Sequence, residues 1–530
     1  MNNENAKAIN DIRVLGDITR LHAQGRPAAI AVKFEGRVTT YAGFHQHTNR
    51  VANALRAANV EKDDRVGYLA KNSDAYFEIL FGAAKMGAVT LPIGWRLAPA
   101  EITHILNDGE VSLLFVGAEF GDLARREAIK TAGRPVSVIE LDSASSDGFA
   151  AWRDRESGDN PRIEISPSDT TLQLYTSGTT GRPKGVMLTH ANLLEIWIAA
   201  RGAGLNWYRW SDDEVCLAAM PAAHIAGTSW GVSGLLNGAR NVILREFDPR
   251  QVLVAMATER VTKLLMVPAA LNILAQTPGA RDVDFSNLKT IFYGASPIPF
   301  DLLKQCIALF GCDFVQQYGM TETCGTIAYL PPEDHVAEGN PRMRSAGLAM
   351  PGVELKIIDS DGTSLPAKAV GEVAIRSRAN MAGYWKNEAA TRATIDANGW
   401  LRTGDAGFLD ADGYLYIQDR VKDMIISGAE NIYPAEVESA IFGHPDVADV
   451  AVIGVPDDKW GEAVKAVIVL KPGATADAAG ILDFTRARIA AYKAPKSVDF
   501  VDALPRNATG KVLKRILKEP YWAGKDRNVN

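Results

Sequence analysis

The sequence predicts an α/β protein: a large N-terminal body of doubly wound α/β layers with a small β-barrel or sheet, followed by a compact α+β domain. Two observations predict this fold. Between residues 65 and 310, short apolar runs rich in β-branched residues alternate with segments of helical length, as in parallel sheets covered by helices on both faces. Beyond residue 353, strand-like segments alternate in polarity and are bounded by Asp-Gly turns, which favours antiparallel sheet.

The body is predicted from its apolar runs and the helical patterns between them. The predicted strands are Arg65–Ala70, Ala88–Pro92, Ser112–Gly117, Val215–Pro221, Asn241–Leu244, Lys263–Pro268 and Thr290–Tyr293. The helical patterns are Tyr76–Met86, Asn192–Ala200 and Pro299–Phe310. Because these runs are apolar throughout, we expect strands that are buried on both faces.

The C-terminal third divides into two parts. The first is an antiparallel β subdomain at about 350–421, predicted from Glu354–Asp359, Gly371–Ser377 and Gly413–Asp419. The second is an α+β domain whose predicted elements are Glu436–Phe442, Val447–Val455, Ala463–Leu470, Asp477–Ala490, Ser497–Val501 and a basic helix from Lys511. We therefore expect a body at residues 1–421 and a C-terminal domain at residues 422–530.

Composition excludes several classes of protein. Of the 530 residues, 47% are apolar and 23% are charged, which is the balance of a globular protein, and a net charge of -6 gives no reason to expect nucleic acid as a partner. The four cysteines show no metal-ligand spacing and fit buried thiols in a reducing compartment. The chain shows neither a secretion signal nor a run of about 20 apolar residues that could span a bilayer. We expect a cytoplasmic protein without a transmembrane segment.

The most informative segment is the loop rich in glycines and hydroxyls that runs from Leu174 to Gly185. Its glycines let backbone N–H groups turn toward an anion, and its hydroxyls and lysine add donors and a positive charge. The expected phosphate-binding residues are Thr176, Ser177, Gly178, Thr179, Thr180, Gly181 and Lys184. A P-loop is excluded, because it needs glycine where Pro183 stands and Ser or Thr where Gly185 stands. A surface loop without a ligand would be an improbable coincidence over twelve residues.

This loop resembles the phosphate-binding signature of the adenylate-forming superfamily, which comprises acyl-CoA synthetases, nonribosomal-peptide adenylation domains and luciferases. The resemblance extends from about Thr39 to Leu517 and is strongest to fatty-acyl-CoA synthetases. It implies that a carboxylic acid reacts with ATP and Mg²⁺ to form an acyl-adenylate, whose acyl group then passes to the thiol of coenzyme A. It also implies that the C-terminal domain is a mobile cap.

Three further motifs match nucleotide-binding positions of the family. A glutamate at a strand end beside a hydroxyl is a reasonable Mg²⁺ ligand; the resemblance implies that Glu322 binds the metal and Thr321 the α-phosphate, while Tyr318 stacks on adenine. The short loop that lines the adenine is matched by Gly294, Ala295 and Ser296. An aspartate in a turn is usually structural, but Asp405 and Arg420, fifteen residues apart, match the pair that binds the ribose.

The resemblance also assigns residues to the mobile cap. Lys511, on a glycine-containing loop, matches the catalytic lysine that bridges the substrate carboxylate and the α-phosphate. For Lys514, Arg515 and Lys518 a solvated helix face is the preferred interpretation. Lys422 matches the hinge, and Gly428 matches the glycine that lets pantetheine reach the adenylate, although Ala429 replaces a common glycine.

His224 matches an aromatic or histidine gate beside the acyl pocket, where it belongs to the catalytic site without a proton-transfer role. The expected acyl pocket is apolar and comprises Trp230, Gly231, Val232, Gly319, Met320 and Cys324. The stretch after His224 carries no acidic residue, which argues against an amino acid as substrate. Fatty, aryl-alkanoic and steroid side-chain acids all remain open.

Two alternatives to a CoA ligase remain. An acyl–carrier-protein ligase would use the same adenylation step with a thiol on a protein. A non-catalytic nucleotide-binding protein would have lost residues among Lys184, Glu322, Asp405, Arg420 and Lys511, yet all five are present. The oligomeric state is open, with a homodimer as one option.

Overall fold

The protein is described by a computed structural model, which covers residue 9 and residues 11–130, 136–143, 145–176, 183–420, 423–427, 430–457, 459–506 and 512–523. Within these residues the helices are α1 (Leu15–Gly25), α2 (Tyr41–Ala57), α3 (Asp74–Met86), α4 (Pro99–Asp108), α5 (Gly121–Lys130), α6 (Phe149–Asp154), α7 (His190–Gly202), α8 (Ile225–Leu236), α9 (Pro249–Thr258), α10 (Pro268–Gln276), α11 (Phe300–Phe310), α12 (Glu388–Thr394), α13 (Pro434–Phe442), α14 (Ala478–Arg486) and α15 (Lys514–Trp522). None of them is long and apolar enough to cross a bilayer.

The strands form four sheets. They are β1 (Ile30–Phe34), β2 (Arg37–Thr40), β3 (Arg65–Leu69), β4 (Val89–Pro92), β5 (Leu113–Val116), β6 (Ser137–Glu140), β7 (Thr170–Thr176), β8 (Lys184–Thr189), β9 (Val215–Ala218), β10 (Arg240–Ile243), β11 (Lys263–Met266), β12 (Thr290–Gly294), β13 (Asp313–Met320), β14 (Gly325–Leu330), β15 (Leu348–Ala349), β16 (Val353–Ile358), β17 (Gly371–Ser377), β18 (Gly383–Tyr384), β19 (Leu401–Leu409), β20 (Leu415–Arg420), β21 (Ile425–Ser427), β22 (Glu430–Ile432), β23 (Val447–Asp457), β24 (Gly461–Leu470) and β25 (Ser497–Phe500).

Two large sheets build the body. The nine-stranded sheet has the order β15-β14-β13-β12-β11-β9-β10-β1-β2, and the seven-stranded sheet has the order β18-β8-β7-β4-β3-β5-β6. Their inner strands are parallel, whereas β2, β14 and β15 of the first sheet and β8 and β18 of the second run antiparallel to their neighbours. The predicted α/β class with doubly wound layers is confirmed.

Helices α3 and α8 pack against each other between the two sheets. All 13 residues of α3 are buried, and the helix begins where the Ser73 side chain accepts a hydrogen bond from the Tyr76 N–H and ends at Gly87, which has a positive φ of 80°. The Tyr76 hydroxyl lies 2.6 Å from the Thr228 hydroxyl of α8. A Cβ on Gly231 would meet the Phe77 ring at 2.2 Å, so this glycine allows the two helices to approach closely.

The two remaining sheets belong to the C-terminal third. Strands β16, β17, β19 and β20 form a four-stranded antiparallel sheet, as predicted for the β subdomain. Strands β21–β25 form a five-stranded sheet flanked by α13–α15. The expected boundary between residues 421 and 422 lies outside the described residues and stays a prediction.

Several elements differ from the sequence-based expectations. Strand β13, which is strand-like in sequence only over Asp313–Val315, runs through Met320, because it pairs with the antiparallel β14. Helix α14 ends at Arg486, four residues early, where the N–H groups of Arg488 and Ile489 both bond to the Thr485 carbonyl and tighten the turn. The final helix begins at Lys514, and the N–H of the preceding Leu513 bonds to the Pro505 carbonyl.

Candidate active site

The predicted phosphate loop connects two antiparallel strands. Thr176 at the end of β7 pairs with Lys184 at the start of β8, so the loop is the turn of a β-hairpin. Residues 177–182, which include the expected ligands Ser177, Gly178, Thr179, Thr180 and Gly181, lie outside the described residues. A strand follows this loop, whereas a helix follows a P-loop. The different connection agrees with the exclusion made from the motif spacing.

Lys184, Tyr384 and Glu322 adjoin one another beside this hairpin. Strand β18 pairs with β8, with Tyr384 opposite Val186, and places the Tyr384 ring 4.9 Å from the Lys184 ammonium. The Tyr384 hydroxyl donates a 2.9 Å hydrogen bond to Oε1 of Glu322. Among the described residues, no carboxylate forms an ion pair with Lys184, so its charge is available to an anionic ligand.

The Glu322 carboxylate is 7% exposed and lies in a 3₁₀ turn, Thr321–Thr323, between β13 and β14. The Glu322 carbonyl accepts a bond from the Met381 N–H, and the Thr323 hydroxyl holds both the N–H and the carbonyl of Met320. These bonds fix the turn on both sides. A fixed, buried carboxylate fits a hard cation such as Mg²⁺, which takes one or two carboxylates and completes its shell with water and phosphate. No group of three or more acidic, histidine or cysteine side chains within the described ranges could hold a metal by itself.

Tyr318 and Asp405, expected to contact adenine and ribose, are joined directly. The Tyr318 hydroxyl donates a 2.7 Å hydrogen bond to Oδ2 of Asp405, which is 6% exposed. The Asp405 N–H bonds to the Thr403 hydroxyl, and Asp405 lies opposite Arg420 in the pairing of β19 with β20. The backbone of Arg420 is described, but its side chain is not. The structure thus brings the nine-stranded sheet and the β subdomain together at these residues.

The predicted adenine loop, Gly294–Ser296, leaves the sheet beside Tyr318. Gly294 is the last residue of β12 and pairs with Gln317. A Cβ at this position would lie 2.0 Å from the Gln317 carbonyl oxygen, so only glycine fits. The next residue, Ala295, has a φ of 67°, in the left-handed region that alanine rarely occupies. The loop is at the carboxyl end of a parallel strand, where α/β sheets bind ligands.

His224 immediately precedes α8 and occupies its N-cap position, where its side chain makes no capping hydrogen bond. Burial lowers its pKa from 6.5 to about 4, with a smaller contribution from Arg96, so the ring is neutral near pH 7. Its Nε2 atom is buried and has no hydrogen-bond partner in the described part of the chain. A neutral ring fits a steric gate better than a general acid, and the role of His224 stays a prediction.

The residues expected around the acyl group lie on two elements, the β13–β14 turn and helix α8. Gly319 packs so tightly that a Cβ would meet the Gly325 carbonyl oxygen at 1.6 Å, and Cys324 is 3% exposed with a φ of 55°. Met320 packs at the edge of the same apolar cluster. In α8, Val232 is fully buried and Gly231 faces α3. Trp230 is 2% exposed, and its indole N–H donates a 2.9 Å hydrogen bond to the Leu217 carbonyl.

The expected cap residues are only partly described. Lys422, Gly428, Ala429 and Lys511 lie outside the described residues, and their assigned roles stay predictions. Lys514 forms a 2.8 Å ion pair with Glu438, and Lys518 a 3.3 Å ion pair with Asp423. Lys514 and Lys518 are thus held by ion pairs within the C-terminal domain, whereas the sequence favoured a solvated helix face.

Sequence reasoning missed a second group of residues that supports the hairpin. The Trp385 N–H bonds to the Gly185 carbonyl, and its indole N–H bonds to the Asp108 carbonyl. The Arg65 guanidinium lies 3.4 Å from the centroid of the Trp385 ring. The Tyr175 hydroxyl donates a 2.5 Å bond to Asp108. The sequence signal was the Gly-Tyr-Trp run at 383–385, whose partners Glu322 and Arg65 lie 62 and 320 residues away.

The chain is similar to known proteins over most of its length. The profile of the AMP-binding enzyme family matches residues 19–385, and the profile of the AMP-binding enzyme C-terminal domain matches residues 436–511. The chain is 40% identical over 520 residues to a fatty acid–[acyl-carrier-protein] ligase of Streptomyces coeruleorubidus, covering 98% of each. It is 39% identical to a feruloyl-CoA synthase of an Amycolatopsis species, covering 94% of this chain and 97% of the other. The crystal structure of ATP-bound MatB from Rhodopseudomonas palustris superposes with a TM-score of 0.87 at 31% identity, covering 96% and 99% of the two chains.

Proposed function

The chain belongs to the AMP-binding enzyme family and is an AMP-forming acid–thiol ligase, and from this premise we propose that it is an acyl-CoA synthetase that joins a carboxylic acid to coenzyme A. The observation that carries the proposal is the contact of Lys184 and Glu322 through Tyr384, with the Tyr318–Asp405 pair nearby. Together these residues offer a cation for phosphate, a carboxylate for a metal, and an aromatic ring with an acceptor for a nucleoside.

In the first half-reaction, an oxygen of the substrate carboxylate attacks the α-phosphorus of ATP, and pyrophosphate leaves. Binding the acid beside ATP replaces a collision with an oriented attack, which contributes up to about 7–11 kcal/mol. Lys184 and the loop hydroxyls bind the phosphates, Thr321 contacts the α-phosphate, and Lys511 from the cap offsets the charge that develops between the reacting groups. No protein nucleophile is required.

Glu322 would hold Mg²⁺, with Tyr384 orienting its carboxylate. The metal, when bound, neutralises phosphate charge and favours the departure of pyrophosphate. Tyr318 and Asp405 hold the nucleoside, so that the α-phosphate lies beside Thr321.

In the second half-reaction, the sulfur of the thiol attacks the acyl carbonyl carbon, AMP leaves, and the thiol proton passes to solvent. The cap must turn about Lys422 before this step, because a site closed on ATP offers no path for the thiol. Gly428 would then lie beside the pantetheine arm.

A second candidate acceptor is the thiol of an acyl-carrier protein. The similarity that favours it is to the Streptomyces coeruleorubidus ligase, which is named for that acceptor and matches this chain over nearly its full length. The adenylation step would be unchanged. The two proposals therefore differ only in the second half-reaction.

The test is to measure pyrophosphate and AMP release with ATP and Mg²⁺ across acids from acetate to long-chain, aryl-propanoic and steroid acids. Each acid is tested alone, with coenzyme A, and with a phosphopantetheinylated acyl-carrier protein. Acceleration by coenzyme A supports the main proposal, and acceleration by the carrier protein alone supports the second. Acid-dependent pyrophosphate release that neither thiol accelerates would contradict both acceptors.

A further inference from the structure

Five aromatic side chains form a continuous wall between α8 and the nine-stranded sheet. We call this set the aromatic wall; it comprises Trp207, Trp210, Trp230, Phe292 and Tyr329. All five are buried, and the ring centroids of successive members lie 4.8 Å (Tyr329–Trp207), 6.0 Å (Trp207–Phe292), 4.9 Å (Phe292–Trp230) and 5.9 Å (Trp230–Trp210) apart. Such distances correspond to direct ring contact.

The wall lies below the strand ends that carry the candidate nucleotide-binding residues. The first turns of α8 face the β13–β14 turn that carries Glu322, because Ser229 and Ile225 are the nearest atoms to a Cβ built on Gly325, at 3.7 and 3.9 Å. Phe292 precedes Gly294 by two residues in β12, and Tyr329 follows Gly325 by four in β14. At the rise of an extended strand, these rings lie on the order of 7 to 13 Å below the strand ends that carry the nucleotide residues.

The wall cannot easily move aside. Trp230 is tied by its indole N–H to the Leu217 carbonyl at 2.9 Å. On its opposite side α8 is held against α3, where a Cβ on Gly231 would meet the Phe77 ring at 2.2 Å, so the helix has no room to retreat. Close-packed interiors yield to extra methylene groups only with strain.

We propose, on the premise of the proposed function, that the aromatic wall closes the acyl pocket and restricts the enzyme to compact carboxylic acids, either aryl acids or short aliphatic ones. Trp230 is the specificity-determining residue, because its indole N–H is anchored to the Leu217 carbonyl and its ring contacts both Phe292 and Trp210. An acyl chain longer than the pocket would have to displace it.

The first test uses the wild-type enzyme. Acid-dependent pyrophosphate release is measured with butanoate, hexanoate, 3-phenylpropanoate, cinnamate, dodecanoate and hexadecanoate, and kcat/KM is compared. We expect the two long-chain acids to react at least about tenfold less efficiently than the best compact acid, since even one misfitting methylene group costs about that much. Equal or higher efficiency with dodecanoate or hexadecanoate would overturn the inference and leave the proposed function intact. If none of the acids in the panel gave pyrophosphate release, that result would overturn the proposed function, and the inference with it.

The second test changes the wall. Trp230→Ala removes the anchored ring, and Phe292→Ala opens the same space without leaving a polar group unpaired, which keeps the test informative if the tryptophan variant fails to fold. Both should raise the ratio of kcat/KM for dodecanoate to that for hexanoate by about tenfold or more. Trp152→Leu, which removes ring contacts with Phe115 and Phe149, is the matched control and should leave that ratio unchanged. A folded Phe292→Ala enzyme with the wild-type ratio would overturn the inference.

Discussion

The hydroxyl of Tyr384 donates a 2.9 Å hydrogen bond to the buried carboxylate of Glu322, while the ring of the same tyrosine lies 4.9 Å from the ammonium of Lys184. One side chain thus connects the proposed metal ligand with the stem of the phosphate hairpin. It comes from β18, a strand of only two residues that the seven-stranded sheet adds beside β8. Orientation of Glu322 therefore depends on a residue 62 positions away.

Removal of this hydroxyl tests the connection. A hydrogen bond to a charged group contributes about 1.5–3 kcal/mol, so in Tyr384→Phe we expect kcat/KM for ATP to fall about tenfold or more. We also expect a higher Mg²⁺ concentration at half-maximal rate, because the carboxylate is no longer oriented. The first measurement is the rate of pyrophosphate release as a function of Mg²⁺ concentration. The second is the affinity for Mn²⁺ in the presence of a non-hydrolysable ATP analogue.

Tyr414→Phe is the matched control for that variant. Tyr414 donates a 2.7 Å hydrogen bond to the buried Asp334, so the same kind of tyrosine–carboxylate pair is removed in the β subdomain. This variant should lose stability without a change in Mg²⁺ dependence. Equal Mg²⁺ dependence of Tyr384→Phe and the wild type would show that Tyr384 does not orient Glu322.

The hydrogen bond between Tyr318 and Asp405 predicts coupled effects on ATP binding. Tyr318→Phe keeps a ring for adenine but loses the 2.7 Å bond, whereas Asp405→Asn weakens the acceptor for the ribose as well. We expect a modest rise in the KM for ATP in the first variant and a larger rise in the second. Because the two side chains are in contact, the free-energy change of the double variant should be smaller than the sum of the changes of the two single variants. Strict additivity of log kcat/KM in the double-mutant cycle would show that this bond has no role in the complex with ATP.

The body of the fold was predictable from sequence because its inner strands are apolar on both faces. Lys263–Met266 and Thr290–Gly294 read as continuous apolar runs, and each lies between two parallel strands. The full length of β13 was not predictable, because Gln317–Met320 contains a glycine and polar groups that also suit a loop. That segment becomes a strand only because β14 turns back beside it. Periodicity carries no signal for such a tertiary pairing.

The candidate site also contains residues that the sequence assigned and residues that it did not. A phosphate-binding role for Lys184 followed from the composition of its loop, whereas Glu322 and Asp405 were assigned only because their motifs resemble those of the family. Tyr384 and Trp385 were not predicted, since their partners Glu322, Asp108 and Arg65 are distant in sequence. Contacts of this kind depend on how the sheets pack. No local pattern encodes them.

Gly319 predicts a steric test of the β13–β14 turn. Its Cα faces the Gly325 carbonyl oxygen, which a Cβ would approach to 1.6 Å, so Gly319→Ala must displace the backbone next to Glu322. We expect a loss of several kcal/mol in the free energy of unfolding and little residual ATP binding. Gly202→Ala, at the end of α7 where a Cβ would meet nothing within 4 Å, should cost nothing. The comparison needs only thermal unfolding and ATP titration, and equal stability of the two variants would contradict the close approach of Gly319 to Gly325.

Burial of histidines predicts a loss of stability in mild acid. Burial lowers the pKa of His190 from 6.5 to about 4, with smaller effects of Asp169, Asp17 and Lys62. Between these two values the unfolded chain binds a proton that the folded chain does not, so stability is complete above pH 6.5 and falls as pH decreases. For His190 alone the loss should be about 1 kcal/mol between pH 7.5 and 5.5.

His190→Asn isolates this contribution. The Nδ1 atom of His190 accepts a 3.2 Å bond from the Leu15 N–H, and the asparagine side-chain oxygen can replace that acceptor without titrating. Urea unfolding at pH 7.5, 6.5 and 5.5 should show a weaker pH dependence in the variant than in the wild type. Identical pH dependence would mean that burial does not lower the pKa of His190 below its value in the unfolded chain.

Substitution of Lys511 and of Lys514, in the basic segment of the cap, should have different effects on the two half-reactions. The resemblance assigns Lys511 to adenylation alone, whereas Lys514 forms a 2.8 Å ion pair with Glu438. We therefore expect Lys511→Ala to lose adenylation by several orders of magnitude while it still forms thioester from a preformed acyl-adenylate, since the cap has then turned the lysine away. Lys514→Ala should retain both half-reactions, because a partly exposed ion pair contributes only about 0–1 kcal/mol. The two half-reactions are measured separately, as acid-dependent pyrophosphate exchange and as AMP release from added adenylate and thiol. Equal impairment of both in Lys511→Ala would mean that one closed conformation serves both steps, and that the cap does not rotate between them.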